Sequence, residues 1–249
     1  MNVDSYTPGR PCWADAMCSD VDKAAVFYSA LFGWEVPEGN PDFGGYRSCT
    51  LNGRTVAGLM QDMGGPIAWN SYIAVADADA TVAAAEAAGG SSMYPPMDFG
   101  GLGRMGALID PAGAVCGIWQ PGAHTGAQVY GEPGALCWAE LTTTSTEDSK
   151  AFYGSVFGWT LGGGDAYTEF GVDGQMVAGV IAPPMAGMPN FWGVYFAVED
   201  CDAAIAKVLE LGGAVHLGAT DNPAGRFAVV ADPNGAIFNI IALNPLPQG

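Results

Sequence analysis

Positive charge is scarce in this sequence. Eight Lys and Arg stand against 26 Asp and Glu, a formal net charge of −18 over 249 residues. Phosphate backbones and anionic membrane surfaces attract clustered Lys and Arg, so neither a nucleic-acid nor a membrane partner is expected. The acidity reads as solubility. Histidine is nearly absent too, with only His124 and His216, at unmatched places and without metal-ligand spacing. The six cysteines (Cys12, Cys18, Cys49, Cys116, Cys137 and Cys201) form no CxxC pair and no zinc pattern. Reduced, buried thiols follow, as in cytosol. No apolar run is long enough for a membrane span, and residues 1–12 lack the basic-then-apolar order of a secretory leader. A cytoplasmic location is the default. There is no GxSxG, no GK[ST] and no strand–GxGxxG–helix context, so the Gly runs at Gly44-Gly45 and Gly162-Gly163-Gly164 read as flexible turns, not phosphate cradles.

What is present is a repeat. Cys12-Trp13-Ala14-Asp15 matches Cys137-Trp138-Ala139-Glu140. Phe27-Tyr28 with Leu31-Phe32-Gly33-Trp34 matches Phe152-Tyr153 with Val156-Phe157-Gly158-Trp159. Val56-Ala57-Gly58 matches Val177-Ala178-Gly179, and Gly103-Arg104 with Asp110-Pro111-Ala112-Gly113 matches Gly225-Arg226 with Asp232-Pro233-Asn234-Gly235. Ordered landmarks at nearly constant spacing mean a tandem duplication. The domains are then 1–121 and 135–249, joined by a Pro/Gly-rich linker over 122–134. A unit of that size can bury a core of its own, and 49% hydrophobic with 14% charged residues is not a disordered composition.

Each copy has the same element order. A strand through Trp13–Cys18 leads to a helix with capping-box-like starts at Ser19-x-x-Asp22 and Thr144-x-x-Glu147. The helix ends at Gly33 or Gly158, natural left-handed terminators. Two strands turn at Asn52-Gly53, a hairpin signal. A strand over 72–76, a helix over 78–88 stopped by Gly89-Gly90, and two strands around the Asp-Pro-x-Gly turn complete the copy. The fold class is α+β: paired βαβββ modules, four in all, with curved mixed sheets each enclosing a cavity.

These features resemble the vicinal oxygen chelate superfamily, the glyoxalase / bleomycin-resistance / dioxygenase fold. The carriers are the FY helix with its Phe-Gly-Trp end, the Gly-Gly helix ends and the two Asp-Pro-x-Gly turns. Within that superfamily the chain is similar to two-domain actinobacterial proteins labelled glyoxalase-like or hydroxylases. The resemblance implies a cavity, and in the metal enzymes of the fold, His, Glu or Gln ligands on cavity-facing strands. Counting from the landmarks puts those positions at Trp13 and Trp138, about Ser71 and Val194, and Gly117 and Asn239. None is a standard ligand, so no metal and no cofactor are expected.

Strand alternation puts Asp15 and Glu140 on the same face as Trp13 and Trp138. An acid inside an apolar strand needs a partner, which makes Asp15 and Glu140 the candidates for acid–base chemistry. Arg104 and Arg226, matched among few basic residues, are candidate partners or ligand anchors. Trp69 with Trp192, Tyr72 with Tyr195, and Asn239 complete the candidate ligand-binding set. The Met- and Pro-rich stretches 93–97 and 183–189 are placed as loops near the cavity mouth. Cys12 and Cys137 are placed on the opposite face. The expected function is metal-independent binding of a small hydrophobic or aromatic metabolite or natural product, the chain being a monomer of two pseudo-symmetric domains or a homodimer. Two alternatives stand beside it. One is a tailoring enzyme (lyase, isomerase or hydroxylase type) that uses the cavity carboxylate as general acid or base; the other is a structural protein with a filled interior.

Overall fold

The computed structural model describes residues 1–164 and 167–245. The first half runs β1 (Pro11–Cys18), α1 (Val21–Phe32), β2 (Arg47–Leu51), β3 (Arg54–Gln61), β4 (Trp69–Ala74), α2 (Ala78–Ala87), β5 (Ser91–Asp98), β6 (Gly103–Ile109) and β7 (Val115–Pro121). The second runs β8 (Leu136–Thr142), α3 (Thr146–Phe157), β9 (Thr160–Gly164), β10 (Tyr167–Val172), β11 (Gln175–Ile181), β12 (Phe191–Ala197), α4 (Cys201–Glu210), β13 (Ala214–Asn222), β14 (Gly225–Ala231) and β15 (Ile237–Leu243). One sheet has the order β2-β3-β1-β4-β7-β6-β5 and the other β13-β14-β15-β12-β8-β11-β10-β9. At the middle of each, two module-opening strands pair antiparallel, β1 with β4 and β8 with β12. Parallel partners flank them: β3 and β7 in the first sheet, β11 and β15 in the second. The α+β architecture of paired modules and mixed sheets is therefore the observed one.

Several local expectations shift. The hairpin turn at Asn52-Gly53 is present, with positive φ at both residues, as a type I′ turn demands. The helix caps fall one residue later than the capping-box reading. Asp20 caps α1 by accepting from Lys23 N at 2.9 Å, and Ser145 precedes α3 without a side-chain cap bond. A carboxylate accepts the orphan N–H as well as a hydroxyl does, so Ser19 is free to bond Asn234 instead. The 93–97 stretch is not a loop but part of β5, an edge strand whose register slips between Tyr94 and Met97. Pro95 and Pro96 are tolerated there because an edge bulge needs no ladder N–H. Gly162-Gly163-Gly164 likewise lies in edge strand β9, paired with β10.

The two halves do not keep separate cores. Phe27, Tyr28 and Phe32 of α1 pack with Phe196 of β12 and Phe238 of β15. Reciprocally, Phe152 and Tyr153 of α3 pack with Ile73, Leu108 and Ile118 of the first sheet. Each first helix thus buries its FY face under the other half's sheet. Burying such an aromatic is worth roughly 2 kcal/mol, so four or five of them rival the net stability of a domain. A buried hydrogen-bond chain fixes each crossing. Trp69 Nε1 donates to Tyr28 Oη at 2.9 Å, and Tyr28 donates to Asp232 Oδ2 at 3.1 Å. Trp192 Nε1 donates to Tyr153 Oη at 2.9 Å, and Tyr153 donates to Asp110 Oδ2 at 3.2 Å. The other oxygen of each Asp accepts two backbone N–H groups of its own Asp-Pro-x-Gly turn.

Candidate functional site

The helix-facing side of β1 carries Ala14, Ala16 and Cys18, and that of β8 carries Ala139 and Leu141. Small residues there let the helices approach. Alternation then leaves Trp13 and Asp15, and Trp138 and Glu140, on the opposite faces. Those faces hold aromatic clusters: Trp13, Tyr72 and Trp119 in the first half, Trp138, Tyr195 and Phe227 in the second.

In the first site Asp15 is only 4% exposed. Its Oδ1 accepts from Asn70 Nδ2 at 2.9 Å and from Tyr72 Oη at 3.3 Å. Its Oδ2 accepts from Tyr46 Oη at 3.2 Å, and Trp13 Nε1 in turn donates to Tyr46 Oη at 2.8 Å. No cation is part of this set. Burial pushes the Asp15 carboxyl up to about 6, opposed by the Asn70, Tyr72 and Tyr46 hydrogen bonds. Burial also raises the Tyr46 and Tyr72 hydroxyls well above their ordinary value, and the Asp15 charge adds to it. Two glycines make room for the rings. A Cβ on Gly58, the β3 partner of Asp15, would lie 1.8 Å from Tyr46 Oη. One on Gly117 would lie 2.2 Å from Tyr72 Cδ1.

The second site repeats the plan. Tyr195 Oη donates to Glu140 Oε1 at 2.9 Å, and Trp138 Nε1 donates to Tyr167 Oη at 2.8 Å. Gly179 faces Tyr167 as Gly58 faces Tyr46, a Cβ there lying 2.0 Å from the hydroxyl oxygen. Burial raises the Glu140 carboxyl, with Tyr195 and then Tyr167 opposing. One difference is chemical. Opposite Asp15 stands Asn70, whereas opposite Glu140 stands Gly193. Beside Tyr72 stands Gly117, whereas beside Tyr195 stands Asn239. The amide has changed strands between the halves. Asn239 Nδ2 donates to Val194 O at 3.2 Å.

A second difference is access. In the first half the linker lies over the site. The His124 ring meets Trp13 edge-on at 4.5 Å between centroids and Trp119 at 5.5 Å, and Trp119 Nε1 donates to His124 O at 2.8 Å. Burial lowers the His124 pKa. Tyr6 closes the same end by donating to Ala127 O at 2.7 Å. Trp13 is 5% exposed, whereas its counterpart Trp138 is only partly buried, as is Glu140.

The structure redistributes several sequence candidates. Trp69 and Trp192 do not line a cavity; they sit on the helix-facing side as donors to Tyr28 and Tyr153. Arg104 and Arg226 also leave the site. Arg104 pairs with Asp79 of α2, and Arg226 with Asp202 of α4 and with Asp221. Their strand positions alternate with Met105 and Phe227, which do face the aromatic clusters. Cys12 and Cys137 join those clusters rather than the opposite face, because a register shift beside each puts consecutive residues on one side. Burial raises both thiols, so neither is a nucleophile in waiting. The structure places Asp15 with Trp13 and Tyr72 in one half, and Glu140 with Trp138 and Tyr195 in the other, with Asn239 beside Tyr195. Tyr46 and Tyr167 were missed. Their signal was indirect: the Gly of the repeated Val-Ala-Gly.

The donor set does not suit a metal. Ser71 and Val194, counted as ligand positions, alternate away from the site, and the residues at hand are Asn70 and Tyr72, or Gly193 and Tyr195. Asp15 is met by O–H and N–H donors and Glu140 by tyrosine O–H, groups that want an acceptor, while Trp13 and Trp138 offer no lone pair. Among the described residues no three His, Cys, Asp or Glu are grouped to hold an ion.

The glyoxalase-like domain family model matches residues 13–118, and the model of the glyoxalase/bleomycin resistance protein/dioxygenase superfamily matches residues 135–240. A Mycobacterium tuberculosis protein, CFP32, whose glyoxylase name is itself provisional, is 42% identical over 98% of this chain and 97% of its own. The anthracycline biosynthesis protein DnrV of Streptomyces peucetius is 36% identical over 96% of this chain and 94% of its own. Among solved structures, the Mn(II)-bound glyoxalase of Novosphingobium aromaticivorans superposes with a TM-score of 0.69 at 16% identity, covering 94% of this chain and 82% of that one. The 2,3-dioxygenase LapB of Pseudomonas sp. KL28 gives 0.65 at 16% identity, covering 97% and 95%. At that identity these two likenesses speak for the fold alone.

Proposed function

The chain belongs to the glyoxalase/bleomycin resistance protein/dioxygenase superfamily, and from that premise we propose that it binds a small aromatic or hydrophobic metabolite or natural product without a metal. One observation carries this reading. In both halves an aromatic strand face holds a lone carboxylate, buried in the first half and partly buried in the second, that accepts from tyrosine hydroxyls and is compensated by no cation among the described residues. A buried charge so held costs stability, and a polar anchor inside an apolar wall is how small-molecule sites are built. The relation to a protein named for anthracycline biosynthesis supports an aromatic natural product as the ligand class. The cytoplasm suits six free cysteines, and no helix among the described residues is long and apolar enough to cross a membrane.

The test is a panel of aromatic metabolites and polyketide-like compounds, read by thermal shift and tryptophan quenching, beside metal analysis of protein purified without chelator. Expected are binders among the planar aromatics and less than a tenth of an equivalent of any transition metal. A full equivalent of one ion per half, or silence across the panel, refutes the reading.

A second reading rests on the raised carboxyls. A carboxyl whose pKa burial has raised can take a proton from carbon beside a carbonyl and return it elsewhere. Glu140, partly exposed, is the better placed of the two to meet a substrate. If a bound aromatic ketone is turned over, Glu140→Gln should lower kcat by about a hundredfold or more; retention of the wild-type rate excludes this chemistry.

A further inference from the structure

A cleft of about 360 Å³ lies on the seam between the halves. Its walls are residues 1–7 on one side, Tyr130 of the linker, and Gln175 and Val177 of β11 on the other; neither Asp15 nor Glu140 lines it. Its one basic side chain is Arg10, which is partly buried. Five of the eight Lys and Arg are paired with carboxylates: Arg47, Arg104, Lys150, Lys207 and Arg226. Arg10 is held by a neutral group instead, its Nη1 donating to Gln175 Oε1 at 2.8 Å. Asp4 also lines the cleft but makes no ion pair with it. A guanidinium carries five donors, so most of this fork is left for something else. The Tyr130 hydroxyl stands nearby. Burial raises its pKa, Cys137 and Tyr6 add to the rise, and the Arg10 charge opposes it, with no hydrogen bond contributing.

The matched corner of the molecule shows that the fold does not require this cleft. Trp34 Nε1 donates to Gly134 O as Trp159 Nε1 donates to Gly9 O, so Gly134-Ala135 stands where Gly9-Arg10 stands. There Ala135 is fully buried and the linker lies directly on β3. Gln128 N donates to Thr55 O at 2.7 Å, and Thr55 N donates to Gln128 Oε1 at 3.0 Å. The N-terminal segment bonds the linker instead, Val3 N donating to Gln128 O at 3.0 Å, and the cleft is the space between that segment and β11. We propose that this cleft is a further ligand site, for a small organic monocarboxylate with an apolar or aromatic body. A carboxylate takes paired N–H bonds from a guanidinium, and the Tyr130 hydroxyl supplies another donor. Tyr6 and Val177 offer apolar surface to the body, and the volume is at the small end for ligand sites. Asp4 limits the charge: a doubly negative ion meets it as a like charge, so one carboxylate fits better than a phosphate. The bound anion bridges the N-terminal segment to β11, as Gln128 bridges the linker to β3.

The probe is benzoate, with benzamide as the same ring without the charge, titrated calorimetrically into the full chain. Expected are benzoate binding, benzamide weaker by about tenfold or more, and inorganic phosphate weaker than benzoate. Arg10→Gln removes the fork and should weaken benzoate by about tenfold or more. Gln175→Glu, nearly isosteric, gives Arg10 a carboxylate of its own and should weaken benzoate by a similar factor; melting curves check that each variant is folded. Equal affinity for benzoate and benzamide, phosphate bound as tightly as benzoate, wild-type benzoate affinity in either folded variant, or no benzoate binding at all would overturn the assignment. Neither substitution touches Asp15 or Glu140. Benzoate that binds regardless of Arg10 has therefore gone to an aromatic face, and the binding function proposed above stands while this site falls.

Discussion

Asp15 shows what one carboxylate costs when its partners are neutral. Burial raises its folded pKa from the ordinary 3.8 to about 6, a difference of roughly 3 kcal/mol between the two protonation states. Between those values the folded chain holds a proton that the unfolded chain has released, so stability falls as pH rises. Urea unfolding from pH 4 to pH 7 should show the wild type losing about 2 kcal/mol relative to Asp15→Asn. Parallel curves would mean that the Tyr46, Tyr72 and Asn70 bonds fully replace water. Asp15 itself was legible in the sequence, because an acid recurring beside Trp at matched places is hard to explain on a buried strand. Tyr46 was not, since it lies 31 residues away on a segment with no periodic pattern. Only the contact geometry joins Gly58 to it.

At the scale of elements, periodicity and turn chemistry located most helices and strands, and missed those that break their own rules. Strand β5 holds two prolines and β9 three glycines; both are edge strands, where a missing ladder N–H or side chain is tolerated. Register was the harder problem. Counting from landmarks put Ser71 on the site face and Cys12 off it, and a bulge near Pro11 reverses the second of these. The face of Trp69 could not be read from its recurrence, because recurrence marks importance to the fold as readily as to a site. The caps allow a direct comparison. Asp200 accepts from Ala203 N at 2.9 Å, whereas Ser145 makes no side-chain cap bond. Asp200→Ala should cost about 1 kcal/mol, and Ser145→Ala distinctly less, as measured by chemical denaturation. Equal losses would show that Ser145 caps α3 after all.

For the whole molecule, the duplication suggested two self-sufficient domains, and the structure shows two interlocked ones. Nothing in a linear repeat reveals which copy a helix packs against; that depends on the path of the linker and on long-range contacts such as Tyr28 with Asp232. The consequence is cooperativity. Calorimetry should record one transition, with calorimetric and van't Hoff enthalpies equal. Tyr28→Phe, which strands Trp69 Nε1 and one Asp232 oxygen in the core, should lower stability by about 1–3 kcal/mol without splitting that transition. Two resolved transitions would show that the halves stand alone.

The crossing of helices has a further consequence. The Trp-Tyr-Asp chain occurs twice with the roles of the halves exchanged: helix tyrosine of one, turn aspartate of the other. That reciprocity is the signature of an isologous contact, the kind that two identical subunits make about a twofold axis. In a dimer of identical chains a substitution on one concave face is imposed on both. Once the halves are covalently joined, the shared interface can stay fixed while each face varies alone. Asn70 against Gly193, and Gly117 against Asn239, are such uncoupled choices: one symmetric frame, two independently edited faces.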